Sequence, residues 1–197
     1  MPSTVYRFIK KRLEGATVNG KITRDTLGMN PIVTDLQTAL LVGQEIGFQQ
    51  EIITSILLNR CITTGTATIE ECKELFGDNV AKILGNLTQI NSLYAKSPTI
   101  ESENFRNLLL SFANDMRVIL IMISRRLVML RNLRDSDDEE ARKIVAREAS
   151  KLYIPLAHKL GFYKLKSEME DLSLRYTESE TYATERFKES SHVIFPP

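Results

Sequence analysis

Few side chains in this 197-residue chain could do chemistry, and those few are scattered. It has two histidines, His158 and His192, and two cysteines, Cys61 and Cys72. Neither pair shows the close spacing with which imidazole or thiolate grips a structural ion. Cys61 follows Arg60, and an adjacent cation favours thiolate, but a buried, inert thiol is the simpler reading. His158 reads as a hydrogen-bonded residue at a helix end. The acidic run Asp137-Asp138-Glu139-Glu140 lacks the glycine and the spacing of a calcium loop. It suits a helix start, where carboxylates meet the positive end of the macrodipole. Arg7, Lys10, Lys11 and Arg12 are a basic cluster, and read as the solvated side of a helix rather than a nucleic-acid surface.

The elements that must position these groups are helical. Charge is nearly balanced, with 26 basic and 25 acidic side chains, so no global field attracts nucleic acid. An apolar content of 43% supplies a core for one domain. The longest apolar run, Val118 to Ile123, is far short of the roughly 20 residues that span a bilayer, and the N-terminus lacks the apolar stretch of a signal peptide. The cysteine usage suits a reducing compartment, so a cytoplasmic location is expected.

Val5, Phe8, Ile9 and Leu13 recur at helical spacing. Gly15 to Asn30 reads as a loop, and Pro31 opens a helix through Ile46. A further helix spans Gln49 to Arg60, followed by a turn at Thr63 to Thr66. Thr68-Ile69-Glu70-Glu71 is a capping box ahead of a short helix ending at Phe76-Gly77. Asp78 begins a helix to about Tyr94, with a loop over Ala95 to Ile100. Helices are then predicted over Glu101–Ala113 and Asp115–Arg134, from Asp137 to about Leu156, from Tyr163 to Tyr176, and over Glu178–Ser190. The segment around Val118, Ile119, Ile121 and Met122 is apolar on nearly all sides and is expected to lie centrally. No strand pattern stands out, and the class is all-α.

Several blocks resemble one known family, from about Asp35 to Tyr182. They are Leu57-Leu58-Asn59-Arg60-Cys61-Ile62-Thr63-Thr64, then Glu74 to Ala81 with Gly85-Asn86-Leu87-Thr88. Glu103 to Leu110 with Asp115 to Ile121 follows, and then Tyr153-Ile154-Pro155-Leu156-Ala157-His158-Lys159-Leu160-Gly161. Glu168 to Leu172 with Arg175-Tyr176 comes last. In this order they resemble the N-terminal hydrolase domain of the RelA/SpoT proteins, which make and destroy the alarmone (p)ppGpp. The resemblance implies an all-α fold of the HD-domain phosphohydrolase type. It implies an N-terminal helix and loop over 1–30, the HD-like domain over 31–182, and a linker over 183–197 toward a synthetase domain.

The resemblance also implies a site, and the residues that would build it are replaced. Family hydrolases use one divalent ion, usually manganese, to activate a water for removal of the 3′ pyrophosphate. The His-Asp doublet of ligands falls at Asn59 and Arg60, the upstream His at Asp35 and the downstream Asp at Arg125. The Glu-Asp pair that handles the water falls at Thr63 and Thr64. A neutral amide is a poor ligand for this ion, and guanidiniums cannot deprotonate to coordinate it. Threonines are not bases near neutral pH. The asparagine that helps read guanine falls at Met129, the histidine beside it at Val128, and the following threonine at Asn132.

No bound metal and no hydrolysis are therefore expected. The function implied is that of an inactive hydrolase domain that regulates the synthetase of a RelA/SpoT-type GTP pyrophosphokinase in stringent-response metabolism. A second reading is a sensor that holds (p)ppGpp or GTP through Arg60, Arg125, Arg131 and Asn132 without cutting it. A third is a divergent, active metal-dependent hydrolase. For Arg60 and Arg125 the alternative to an anion clamp is a structural staple with Asp35, since a buried cation needs a partner. The partners implied are a downstream synthetase domain and possible guanine nucleotide, with no membrane or nucleic acid; a homodimer stays open.

Overall fold

The computed structural model describes residues 2–13, 28–96, 115–134, 136 and 138–177, and every regular element among them is a helix. Val5 and Phe8 bury one side of α1 (Pro2–Leu13), as their spacing predicts. The start of α2 (Pro31–Ile46) is fixed locally. The Asn30 side chain accepts from Ile32 N at 3.0 Å and Val33 N at 3.5 Å, while Pro31 occupies the first turn, where its missing N–H goes unneeded. Next come α3 (Gln50–Thr63), α4 (Ile69–Phe76) and α5 (Asp78–Lys96). The capping box is present in full: Glu71 N donates to Thr68 Oγ1 at 3.1 Å and Thr68 N donates to Glu71 Oε2 at 2.9 Å. Gly77 then turns α4 into α5 with φ +93°, a conformation that side-chain-bearing residues rarely adopt.

The chain divides into two compact units, Met1–Val128 and Met129–Pro197, with the boundary inside α6 (Met116–Asn132). In the first unit α3 is the hub, packed on α1, α2, α4 and α5. Leu58, Cys61, Ala67, Cys72, Val80 and Leu84 form a buried cluster that α1 closes with Phe8. The Phe8 ring meets Phe76 edge-on at 5.3 Å. Arg12 lies 3.6 Å over the other part of this arrangement, the Phe8 ring, and pairs with Glu71 Oε1 at 3.0 Å. Arg12 is thus not part of a solvated basic face, because the aromatic ring and the capping-box carboxylate both hold it. As expected, the Val118–Ile123 stretch is central: Val118, Ile119 and Ile123 are fully buried.

Asp115 precedes α6 and is itself buried. Arg117 clasps it in a fork, with Nε to Oδ1 at 2.7 Å and Nη2 to Oδ2 at 2.8 Å, and this holds the Asp115 carboxyl below the usual carboxylate range.

The second unit contains α7 (Glu139–Glu148), α8 (Ile154–Lys159) and α9 (Tyr163–Thr177). Asp138 caps α7 by accepting from Ala141 N at 2.9 Å. The single helix expected to reach Leu156 is interrupted by a π turn at Ala149–Tyr153. Pro155 explains it: a proline ring collides with the carbonyl four residues back, and a wider turn relieves the collision. α9 packs along α7 and α8, and the buried Tyr176 hydroxyl donates to Leu130 O at 2.7 Å.

Several boundaries shift slightly, and the helix expected over Asp115–Arg134 spans Met116–Asn132. α3 runs on through Thr63, and Ala95 and Lys96 extend α5. The loop proposed from Gly15, the helix proposed over Glu101–Ala113 and the helix proposed over Glu178–Ser190 lie mainly or wholly outside the described residues. No helix among the described residues is long and apolar enough to cross a membrane.

Tyr176→Phe strands a buried carbonyl and is expected to destabilise the chain by about 1–3 kcal/mol, read by urea unfolding. Asp115→Asn tests the pH dependence. A depressed folded-state carboxyl stabilises above its unfolded value, and that contribution disappears as pH falls through the folded value. The variant should therefore unfold more readily than wild type at neutral pH, and the two unfolding curves should converge in acid.

Candidate functional site

Asp35 lies on the inward face of α2, beside Thr34 and Thr38, and is only 3% exposed. The Thr38 hydroxyl donates to Thr34 O at 2.7 Å, so the helix's own backbone satisfies it. A carboxylate has no such local outlet. Its Oδ1 accepts a hydrogen bond from Arg125 Nη2 on α6, forming an ion pair that joins two helices 90 residues apart in sequence. Its Oδ2 has no hydrogen-bond partner among the described residues. Burial pushes the Asp35 carboxyl above the usual carboxylate range, against the opposing pull of Arg125 and, more weakly, Arg60. The asymmetry of the pair explains that sign. The Arg125 side chain keeps 32% of its surface exposed while Asp35 keeps 5%, so the carboxylate carries most of the desolvation.

Asn59 and Arg60 sit in the last turns of α3. Asn59 is 3% exposed, and its Oδ1 has no hydrogen-bond partner among the described residues. Arg60 is half-buried and reaches Asp35 through its field. Cys61 follows, fully buried, and burial raises its thiol above the ordinary value, while Cys72 is pushed up to about 11. Neither is poised as a thiolate.

Thr63 and Thr64 are exposed and serve the helix end. Both hydroxyls donate to Arg60 O, at 3.0 and 2.9 Å, and Thr64 N donates to the same carbonyl at 3.0 Å. Thr66 closes the next carbonyl, with N and Oγ1 donating to Cys61 O at 2.9 and 3.2 Å. These threonines satisfy the carbonyls that a helix terminus leaves open.

The structure thus brings Asp35, Arg60 and Arg125 into one electrostatic group, with Asn59 one residue from Arg60. Arg131 and Asn132 belong to the other unit. There Arg131 makes a two-point pair with Glu168 of α9, with Nε to Oε1 at 2.6 Å and Nη2 to Oε2 at 2.7 Å, and Asn132 ends α6, half-buried. His158 is exposed in the last turn of α8, 5.9 Å edge-on from the Tyr163 ring. Sequence reasoning missed Ser124, which is fully buried beside Arg125 in the chain and whose Oγ has no hydrogen-bond partner among the described residues. Its only signal was a polar residue inside an apolar helix.

This donor set does not fit a divalent ion. Among the described residues, no group of three or more His, Cys, Asp or Glu lies where it could hold one. The one carboxylate already serves Arg125, and an ion such as manganese needs several oxygen or imidazole ligands. A divalent ion about 5 Å from a single guanidinium is repelled by roughly 7 kcal/mol at an effective dielectric of about 20. Two guanidiniums share the field of Asp35.

Known proteins agree with the helical fold. A profile described as the HD domain matches residues 20–163. The chain is 37% identical over 177 residues to the guanosine-3′,5′-bis(diphosphate) 3′-pyrophosphohydrolase of Aquifex aeolicus, covering 90% of this chain and 24% of that protein. It is 34% identical over 155 residues to the GTP pyrophosphokinase of Myxococcus xanthus, covering 77% and 20%. Over 143 residues it is 31% identical to the bifunctional (p)ppGpp synthase/hydrolase SpoT of Escherichia coli, covering 72% and 20%. It therefore spans a quarter or less of the length of these relatives. The chain belongs to the HD-domain family and, within it, to the RelA/SpoT proteins.

Proposed function

We propose that this chain is a non-hydrolysing HD domain of a RelA/SpoT-type protein, and that it regulates a synthetase region of the parent polypeptide. The observation that carries the reading is the ion pair between Asp35 and Arg125. A position that would have to hold a cation by its carboxylate carries a cation of its own. Further support comes from Thr63 and Thr64, whose hydroxyls are committed to the end of α3, so no general base stands in that turn.

A regulatory body needs a surface on which to act. The outward face of α2 carries Val33, Leu36 and Leu40 at helical spacing, all exposed, and Phe48 follows at its end. Gln37 and Gln44 share that face, so it is apolar and uncharged. Surfaces of this kind mark contacts with other protein surfaces. The occupant we assign is the synthetase region of the parent chain, since the relatives are four to five times longer than this chain. Regulation then requires that the contact differ between competent and incompetent states of the synthetase.

The sensor reading has less support. Arg125 is engaged by Asp35 and Arg131 by Glu168, which leaves Arg60 as the arginine of that set outside an ion pair among the described residues.

The test is release of pyrophosphate from ppGpp by this chain with manganese, followed by ion chromatography. No release above the protein-free rate is expected, and turnover would sink the proposal. In the parent protein, Leu40→Glu should change the rate of pyrophosphate transfer to GTP or GDP while leaving the unfolding midpoint of this chain within about 1 °C, as surface substitutions do. An unchanged rate would remove α2 as the regulatory face.

A further inference from the structure

We propose that the Arg125 guanidinium is a built-in replacement for a divalent cation. It neutralises Asp35, ties α2 to α6, and makes the first unit independent of metal. The inference deepens the reading of this site as one without a bound ion, but it concerns the folding of the chain and not its turnover.

The argument starts from what Asp35 requires. A carboxylate 3% exposed inside a helical body needs a positive partner, whatever its source. Metal and guanidinium satisfy it in opposite ways. A divalent ion draws several oxygens toward one point. A guanidinium donates along fixed directions, and acceptors away from those directions go unserved. The structure carries the second signature. Asp35 Oδ1 is bonded to Arg125, while Asp35 Oδ2 is buried with no hydrogen-bond partner among the described residues. The α3 turn that holds Asn59 also holds Arg60, whose charge acts on Asp35 beside that of Arg125. A carboxylate bonded at a single oxygen, with its second oxygen unserved among the described residues, is what a guanidinium leaves when it supplies the positive charge in place of an ion.

Guanidinium and metal should therefore exclude one another. While Arg125 is present, a divalent ion finds the carboxylate engaged and two positive charges beside it. Replacing Arg125 with aspartate removes one of those charges, frees Asp35 and adds a second carboxylate on α6. The chain would then acquire a metal-dependent stability that it lacks as it stands.

The experiment is thermal unfolding of this chain in EDTA and across a manganese titration. Wild type should show the same midpoint throughout. Arg125→Asp should unfold several degrees lower in EDTA and recover saturably as manganese is added, as ligand linkage requires. The further change Asp35→Asn should abolish that recovery. A saturable manganese shift in wild type would overturn the proposal, as would a folded Arg125→Asp protein that ignores the ion. If Arg125→Asp does not fold, a double-mutant cycle decides. Arg125→Met and Asp35→Asn should each lower the midpoint, and their combination should lower it by less than the sum. Strict additivity would overturn the proposal. Wild type that ignores manganese in the melt yet releases pyrophosphate would sink the functional reading and leave this inference standing.

Discussion

A carboxylate buried on α2 must have a cation, and the first unit is arranged around the cation it has. Asp35 lies on a helix face that also buries Ala39, Leu41 and Val42, so it cannot turn outward without withdrawing that face from the core. Arg125 is placed to meet it by α6, which is fully buried at Val118, Ile119, Ile123 and Leu127 and so has no freedom to roll. The pair is not a source of large net stability. Burying the carboxylate costs more than the pairing returns, which is why its proton affinity rises despite two nearby guanidiniums. Its importance lies in what happens when one half is missing: an uncompensated buried charge costs about 3–5 kcal/mol, a large share of the stability of an ordinary domain.

Two further contacts show the same logic of one group satisfying several needs. Arg12 covers the Phe8 ring and pairs with Glu71, whose carboxylate also caps α4. α1 is thereby fastened to the cluster around Leu58 and Cys72 by an apolar contact and a charge together. At the end of α3, one carbonyl, that of Arg60, receives two threonine hydroxyls and a backbone N–H. A turn so closed is held by its own side chains, and its residues are spent on architecture.

The helical course of the chain was legible because its signals are local. Pro31 after Asn30, the Thr68–Glu71 capping box and the apolar run from Val118 each predict an element from a few adjacent residues. The π turn was legible only in retrospect. Pro155 was visible, but whether a proline ends a helix or is absorbed by a wider turn depends on whether the following segment is held in line by its neighbours. Arg12 was misread for a related reason. Its ring, Phe8, lies one turn back on α1, but its carboxylate, Glu71, comes from α4, and no pattern on α1 announces a partner 59 residues away.

The candidate site was legible in its residue types and not in its pairings. That Asn59, Arg60 and Arg125 offer an ion neither imidazole nor carboxylate is visible in their chemistry alone. Which arginine would meet Asp35 is not, because both are possible until the packing of α2 against α3 and α6 is known. The structure divides the two roles: Arg125 makes the contact, and Arg60 adds to the field without an ion pair among the described residues. That division has a physical basis. Arg60 lies in the last turn of α3, where a cation is already favoured by the helix dipole and by open carbonyls. Arg125 sits mid-helix, where no dipole supports it, and it must find its counter-charge across the helix interface. A positive residue at a helix end can be tolerated unpaired, whereas one inside a packed helix needs its carboxylate. On this reasoning Asp35 and Arg125 form a unit that can change only together, while Arg60 is free to vary.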